Sequence, residues 1–520
     1  MSVSVGDPSF IIKDAKQLGL YFQDDWKMTR RLAFNLGIRW DKDIDFVGGS
    51  DIAKSRTFHE LQAAAPFSLL AGSLVAKKAD DYSKGYSPRV GFTYDMTGHG
   101  NHMVRGGFGM YYGNTFQNIP LFMEQQSNAT IFQQVFAISA SNGDVVPGTG
   151  GILLSNWRFG VDPLPPTPAA SGTLLAGSIG RLMDPNYRNP VTEEFNGGYT
   201  WSLSSKSVIE LEYVHVLSLH ENKTINVDPN IPVTPNNITT TSRTGVPGGF
   251  FRPLDAAFKA AGVPVLSSVR DDASIGRSRY DGMNISYRQH AFHRVDLTAN
   301  YTLSRAVGYD TVGNTFRNYP RDPQNPFSQF EFGPTTNDER HHLTLAGIAN
   351  LPWGMEFAPI LQFGSARPYT AIASNNMLNL GSGSGAGALV VTNANPADLF
   401  SATKLTPLVD SHSGRPSLGL AEAVCYYSGN CHLAPFDRLH GDPYFNLDAR
   451  VARNIKLGEH RNLQLAFQGF NLTNHANYGN NFNNNISVPA TFSHAGGFIN
   501  PTSTTLPRAF TGEFGARFTF

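Results

Sequence analysis

Alternation of apolar and polar side chains with a period of two, repeated in paired segments joined by tight turns, is the feature that most constrains this chain. In its last ten residues Phe514, Ala516, Phe518 and Phe520 alternate with Glu513, Gly515, Arg517 and Thr519. A strand with that pattern has one apolar and one polar face. One such strand fits an ordinary half-buried edge as well as the closing strand of a membrane barrel, so the decision rests on how often the pattern returns. It returns in six pairs. These are Gln17 to Trp26 with Arg31 to Asp41, Arg89 to Met96 with Met103 to Tyr112, and Glu194 to Leu203 with Ser207 to Val216. Arg279 to Gln289 with Arg294 to Leu303, His342 to Leu351 with Met355 to Phe363, and Phe445 to Ile455 with Asn462 to Leu472 complete the set. The turns inside pairs are short and carry residues that accept positive φ, as in Thr97-Gly98-His99-Gly100-Asn101.

Between pairs the connections are long and rich in Gly, Pro, Asn and Ser: Lys42 to Pro88, Gly113 to Pro190, Ser304 to Glu339 and Ala366 to Asp442. Such connections argue against a compact soluble domain. Short turns at one end and long loops at the other are the rule in outer-membrane barrels. Composition agrees. Charged residues make up 16%, below the rough quarter of soluble domains, while aromatics reach 12%. Lys+Arg and Asp+Glu both number 41, so no net field points to nucleic acid. No apolar run reaches the roughly 18 residues of a spanning helix. The longest candidate, Ala63 to Ala76, is interrupted by Pro66 and Ser68 and lies too far inside the chain for a signal peptide. Any spanning must then be by strands of a closed barrel, the other structure that satisfies every backbone group in lipid. The predicted fold is all-β, a transmembrane antiparallel up-and-down barrel.

Counting sharpens this. Six short turns and six long loops alternate through about thirteen strands, which puts Phe520 on the short-turn, periplasmic side and the long loops outside. Single-chain bacterial barrels have even strand numbers with both ends on that side. The odd count and the missing leader predict a truncated chain, the C-terminal part of a larger barrel over residues 1–520, or a further strand near Ser2 to Ile12. Trp26, Trp40, Tyr94, Tyr112, Trp201, Tyr213, Tyr287 and Trp353 flank the apolar bands as interfacial girdles do. Arg39, Arg89, Asp95, Arg105, Asp296, Asp448, Arg450 and Gln464 fall on the opposite face and are predicted to line the lumen. Cys425 and Cys431 enclose a short polar, Gly-containing loop that favours a disulfide over burial as free thiols, at the long-loop end. A metal site there with His432 lacks a second well-spaced ligand pair.

Catalytic chemistry finds no support. Asp338 and Glu339 beside His341-His342 suggest an acid–base or metal site, but neighbouring residues of a strand point to opposite faces. His99, His102, His290 and His293 fall in tight turns. The Gly381 to Gly387 run has no strand before it and no Walker lysine after it, and reads as flexible loop. HExxH and GxSxG are absent. No catalytic, cofactor or metal residue is assigned, and the substrate is not specified.

Several stretches in order carry a resemblance: Tyr21-Phe22-Gln23-Asp24-Asp25-Trp26 with Asn35-Leu36-Gly37-Ile38-Arg39-Trp40-Asp41, then Ser87-Pro88-Arg89 with Arg105-Gly106-Gly107-Phe108-Gly109. Asn189-Pro190 with Glu194-Phe195-Asn196, Asp338 to His342, Tyr444 to Asp448, Phe470 to His475 and the terminal Phe520 follow. Together the chain resembles the C-terminal portion of an Oar-like TonB-dependent receptor of a Gram-negative outer membrane. The resemblance implies a barrel of about 22 strands, an N-terminal plug with a TonB-contacting segment, and often a carboxypeptidase-regulatory-like domain, none of which this chain matches. It implies contact with outer-membrane lipid and with the barrel-assembly machinery, for which Phe514, Phe518 and Phe520 would form part of the insertion signal. TonB would be reached only through the missing plug. The stretch Tyr213-Val214-His215-Val216 departs from the family by lacking its usual Gly-Ser. The function implied is transport of an unidentified substrate, by uptake or export. A passive pore or adhesin barrel is the alternative, and a soluble all-β carbohydrate-binding protein a third class.

Overall fold

Each alternating segment becomes a strand of one antiparallel meander. A computed structural model describes residues 15–47, 55–115, 119–120, 161, 179–229, 231–232, 250–266, 268–292, 294–309, 322, 325–328, 330–373, 386–387, 389–395, 398, 401–409, 416–435, 439–477 and 509–520. Its main sheet runs β1 (Lys16–Lys27), β2 (Leu32–Ile44), β3 (Gly85–Asp95), β4 (His102–Tyr112), β5 (Val191–Ser204), β6 (Ser207–Asn226) and β7 (Ser268–Phe292). It continues through β8 (Val295–Gly308), β9 (His341–Leu351), β10 (Met355–Gly364), β11 (Tyr444–Lys456), β12 (Asn462–Phe470) and β13 (Thr511–Thr519). Every strand pairs with its neighbours in chain order, the up-and-down topology of a barrel wall. Among the described pairings, β1 and β13 are the two edges. The predicted strand at Ser2 to Ile12 lies outside the described residues.

Register follows from the alternation, since a slip of one residue would exchange the two faces. Met283 stands opposite Leu303, Ile285 opposite Tyr301 and Tyr287 opposite Ala299. The resulting apolar face is open to the surroundings, with Phe22 70% and Phe514 87% exposed. An apolar band of this extent belongs against hydrocarbon. Short turns close on local chemistry. The Asp95 carboxylate accepts from the backbone N–H of Thr97, Gly98 and Gly100 at 3.1, 2.9 and 2.9 Å. Gly98 sits there at φ 79°, a left-handed conformation that glycine adopts without strain.

Two strands exceed expectation. β6 has 20 residues and β7 has 25, where the alternation predicts about ten each. The extra length rises beyond the sheet at the long-loop end, where Ile179–Met183 adds in parallel to Ser268 to Asp272. Against this ribbon pack helix α1 (Arg56–Ala64), helix α2 (Leu69–Leu74) and helix α3 (Asp255–Ala260). Phe58, Leu61, Ala64, Leu182, Leu254, Phe258 and Leu266 form their core. The interrupted apolar stretch Ala63 to Ala76 thus ends α1, turns through Ala65–Phe67 and forms α2. Pro66 starts the short turn, and Ser68 caps α2 by accepting from the Ala71 N–H at 3.3 Å. The long connections are therefore partly folded rather than plain loop.

Candidate functional site

The polar face of the sheet is the candidate site. Alternation and register bring Arg288, Thr298, Ala346, Ile360, Asp448 and Arg450 around one cavity of about 1300 Å³. Arg450 donates to Glu356 Oε1 at 2.6 Å and to Gln464 Oε1 at 3.0 Å, and Gln464 donates on to Asn454 at 3.0 Å. Arg105 reaches Thr200 Oγ1 at 3.1 Å and Glu212 at 3.4 Å. Arg288 pairs with Glu210 at 2.5 Å, and His290 meets Asp296 at 2.6 Å. Arg39 forks onto Asp41 through two bonds of 2.8 Å, while the Arg89 guanidinium lies 4.7 Å from the Tyr111 ring. Such half-exposed pairs contribute little stability each, about 0–1 kcal/mol. Their collective effect is a wetted wall of both signs, suited to a polar occupant. Two of the eight predicted wall residues have local work as well. Asp95 clamps its turn, and the Asp448 carboxylate accepts from the Asn471 N–H at 2.8 Å.

His341 and His342 diverge as adjacent strand residues must. His341 hydrogen-bonds with Tyr301 at 2.8 Å, and His342 meets Glu339 at 2.5 Å. Among the described residues no group of three or more His, Cys, Asp and Glu is placed to hold a metal ion. His102 and His290 are strand residues: the His102 ring stacks on Trp201 at 5.8 Å between centroids. His293 and Gly381 to Gly385 lie outside the described residues, whereas Ala386 and Gly387 bridge to Ile372 and Ala373.

At the long-loop end, Cys425 and Cys431 are joined by a disulfide with a Cα–Cα distance of 5.1 Å. Cys425 belongs to helix α4 (Leu418–Tyr427), and Cys431 to a three-residue strand, Cys431–Leu433, paired with Leu389–Val391. Both sulfurs belong to residues buried with Leu389, Ala402 and Leu433, where the polar loop between them suggests exposure. Helix α4 is the part that sequence reading passed over. His432 stacks on Phe330 at 5.1 Å.

The ribbon above the sheet buries ionisable groups. Burial pushes the Asp228 carboxyl up to about 7, although it accepts from the Leu254 N–H at 2.8 Å. Burial likewise pushes Asp272 up to about 6 against the hydrogen bond from Thr224, and holds Asp271, beside Asp184, well above the carboxylate range.

On the apolar face, Phe514 packs 4.8 Å from Phe467, and Phe518 stacks on Phe520 at 5.9 Å. A polar cluster that sequence reading missed on that face is centred on Asp281. It accepts from the Tyr213 hydroxyl at 2.8 Å and pairs with His215 at 2.7 Å and Arg279 at 3.0 Å. Tyr213, expected in the girdle, thus donates its hydroxyl to a carboxylate on the neighbouring strand.

No curated protein matches the chain. Among solved structures it is similar to the outer membrane transporter YddB from Escherichia coli, at 10% identity and a TM-score of 0.43, covering 97% of this chain and 44% of that one. It is similar also to the siderophore receptor PirA from Acinetobacter baumannii, at 10% identity and 0.42, covering 97% and 46%. The FrpB iron transporter from Neisseria meningitidis gives 9% and 0.40, covering 97% and 45%. The chain spans less than half the length of these three structures. The family described as "Outer membrane beta barrel domain" matches residues 6–510, nearly the whole of a meander whose strands alternate lipid-facing and lumen-facing residues. The chain belongs to that outer-membrane β-barrel family.

Proposed function

We propose that this chain is the C-terminal part of a TonB-dependent receptor barrel of about 22 strands, one that moves an unidentified substrate across the outer membrane. The observation that carries the reading is the division of labour between the two ends. Short turns close one end, while the other builds folded modules above a wide wall that carries ion pairs among apolar residues. A wall of that kind suits a hydrated protein plug, and loops that fold suit capture of a ligand before entry. The ordered motifs from Tyr21 to Phe520 support the same family. The plug would lie upstream and would supply contact with TonB. The C-terminus faces the periplasm, and Phe514, Phe518 and Phe520 serve recognition by the barrel-assembly machinery.

Three measurements test this. Whole cells are labelled with a membrane-impermeant thiol reagent after Leu69→Cys in the long-loop module or Glu459→Cys in a short turn. Labelling of the first and protection of the second is expected, and the reverse inverts the topology. The outer-membrane protein carrying this chain is then tested for binding the periplasmic domain of TonB and for conductance in planar bilayers. Binding without a steady current is expected. A large open current without TonB binding would establish the passive pore instead. Membership of the outer-membrane family sets the soluble carbohydrate-binding alternative aside.

A further inference from the structure

The lipid-facing side of β6, β7 and β8 carries a group of charges that the transport reading does not use. Along β7 the outward positions run Tyr287, Ile285 and Met283, then Asp281, Arg279 and Arg277 toward the long-loop end. Asp281 stands opposite Arg305 of β8 and opposite His215 of β6, in the stretch that departs from the family pattern. Its carboxylate is fully engaged: Oδ2 holds Arg279 Nε at 3.0 Å, and Oδ1 takes the Tyr213 hydroxyl at 2.8 Å and His215 Nδ1 at 2.7 Å. The Arg277 guanidinium is steadied by two rings, 5.4 Å from Phe332 and 5.8 Å from Tyr309.

The sum of these charges is positive. Among the described outward positions here, Arg277, Arg279 and Arg305 share the face with Asp281, and Glu193, outward on β5 opposite Leu217, is separated from Arg279 by the width of β6. Excess cationic charge on a lipid-facing wall is tolerated near the interface and costs steeply with depth, so an anion in the adjoining layer offsets it. Geometry favours a tetrahedral oxyanion. Arg277 and Arg279 are one pleat repeat apart, about 6.6 Å, and Arg305 is diagonal to Arg279 at about 7–8 Å. Arg279 spends its Nε on Asp281, which leaves the paired Nη edge of the fork for a bidentate contact.

We propose that Arg277, Arg279 and Arg305 bind a phosphate group on the headgroup of an outer-leaflet lipid, with Asp281 as the residue that positions Arg279. Continuity selects a lipid over a protein or a free anion. Immediately below the arginines the same face becomes apolar, with Met283 opposite Leu303 and Tyr213, then Ile285 opposite Tyr301 and Leu211. One amphiphile with a phosphate above and acyl chains below covers both parts. The inference rests on the proposed orientation, which the Leu69→Cys and Glu459→Cys labelling reads independently.

The test is native mass spectrometry of the outer-membrane protein carrying this chain, purified in mild detergent and offered bis-phosphorylated or dephosphorylated lipid A. The wild type is expected to retain the phosphorylated lipid at least tenfold better. Arg279→Gln with Arg305→Gln is expected to fall to the dephosphorylated level, while Arg279→Lys with Arg305→Lys keeps most of the binding. Heat-modifiable gel mobility reports folding of each variant. If the glutamine variant does not fold, the wild-type lipid comparison and the lysine variant decide. Equal retention of both lipids, unchanged retention by a folded glutamine variant, or displacement of the lipid by millimolar inorganic phosphate overturns the proposal. A co-purifying polypeptide lost with the arginines while lipid binding stays constant overturns it too, in favour of a protein contact.

Discussion

The sheet and the helical module above it solve the burial problem in opposite ways. In β8 the residues Leu297, Ala299, Tyr301 and Leu303 turn their apolar face outward and leave the inner face to Thr298, Asn300 and Thr302. In the module Phe58, Leu61, Leu254 and Phe258 turn inward to a core from which water is excluded. The sheet needs a membrane to satisfy its apolar side, whereas the module carries its own. One chain therefore buries apolar surface against two different solvents, and perturbations of the same chemical kind should act on the two regions differently.

The largest contrast is expected from truncating a core side chain. Phe258→Ala removes a fully buried ring from the module and is expected to cost about 3–5 kcal/mol there. Limited proteolysis should show the module cleaved while the heat-modifiable mobility of the barrel persists; loss of both together would mean that the two are one cooperative unit. Next comes a charge on the lipid face. Leu297→Arg is expected to cost about 2–4 kcal/mol if Leu297 lies near the bilayer midplane. Urea titration in lipid vesicles measures it, and a change below about 1 kcal/mol would place that residue at an interface instead.

Opening the disulfide should matter less. Cys425→Ser with Cys431→Ser releases a loop closed over six positions, for an expected loss of about 2 kcal/mol confined to α4 and its hairpin. Hydrogen exchange at Val424 and Leu433 reports it, and spread of the effect to β10 or β11 would show that the loop supports the wall.

The smallest effect is a pH slope. Asp228 and Asp272 have carboxyls raised by burial to about 7 and about 6, so their folded forms favour the proton. The stability they confer is complete below the ordinary carboxylate range, declines as pH rises, and is lost above about 7. Module exchange, corrected for intrinsic rates, should be slower at pH 5 than at pH 8, while the sheet changes little. Asp272→Asn should flatten part of that slope, and an unchanged slope would remove Asp272 as its source.

Sequence reading found what depends on alternation. All thirteen strands and the turns between paired strands follow from period-two patterns, because a barrel wall meets two different solvents and each residue must choose one. The wall residues Arg105 and Arg450 follow from the same parity, although only register shows which carboxylates they meet. What escaped was tertiary. The upper ends of β6 and β7, around Lys223 and over Ser268 to Ser274, are buried, so they lose the pattern and read as loop: Asp271, Asp272 and Lys223 are buried there despite their charge. Helix α1 hides its period in a short segment, Phe58, Leu61 and Ala64, ended by a proline turn. The Asp281 cluster was invisible because its members come from two strands and become neighbours only through their pairing.

The parallel addition of Ile179–Met183 to β7 has a mechanical consequence. Its five paired residues run alongside Ser268 to Asp272, the upper end of the strand that continues down to Phe292 in the barrel wall. A pull on this part of the module directed along that strand loads its backbone bonds together in shear, rather than opening them one after another as a zipper does. Force applied there is then delivered to the barrel wall along β7, through bonds that share the load.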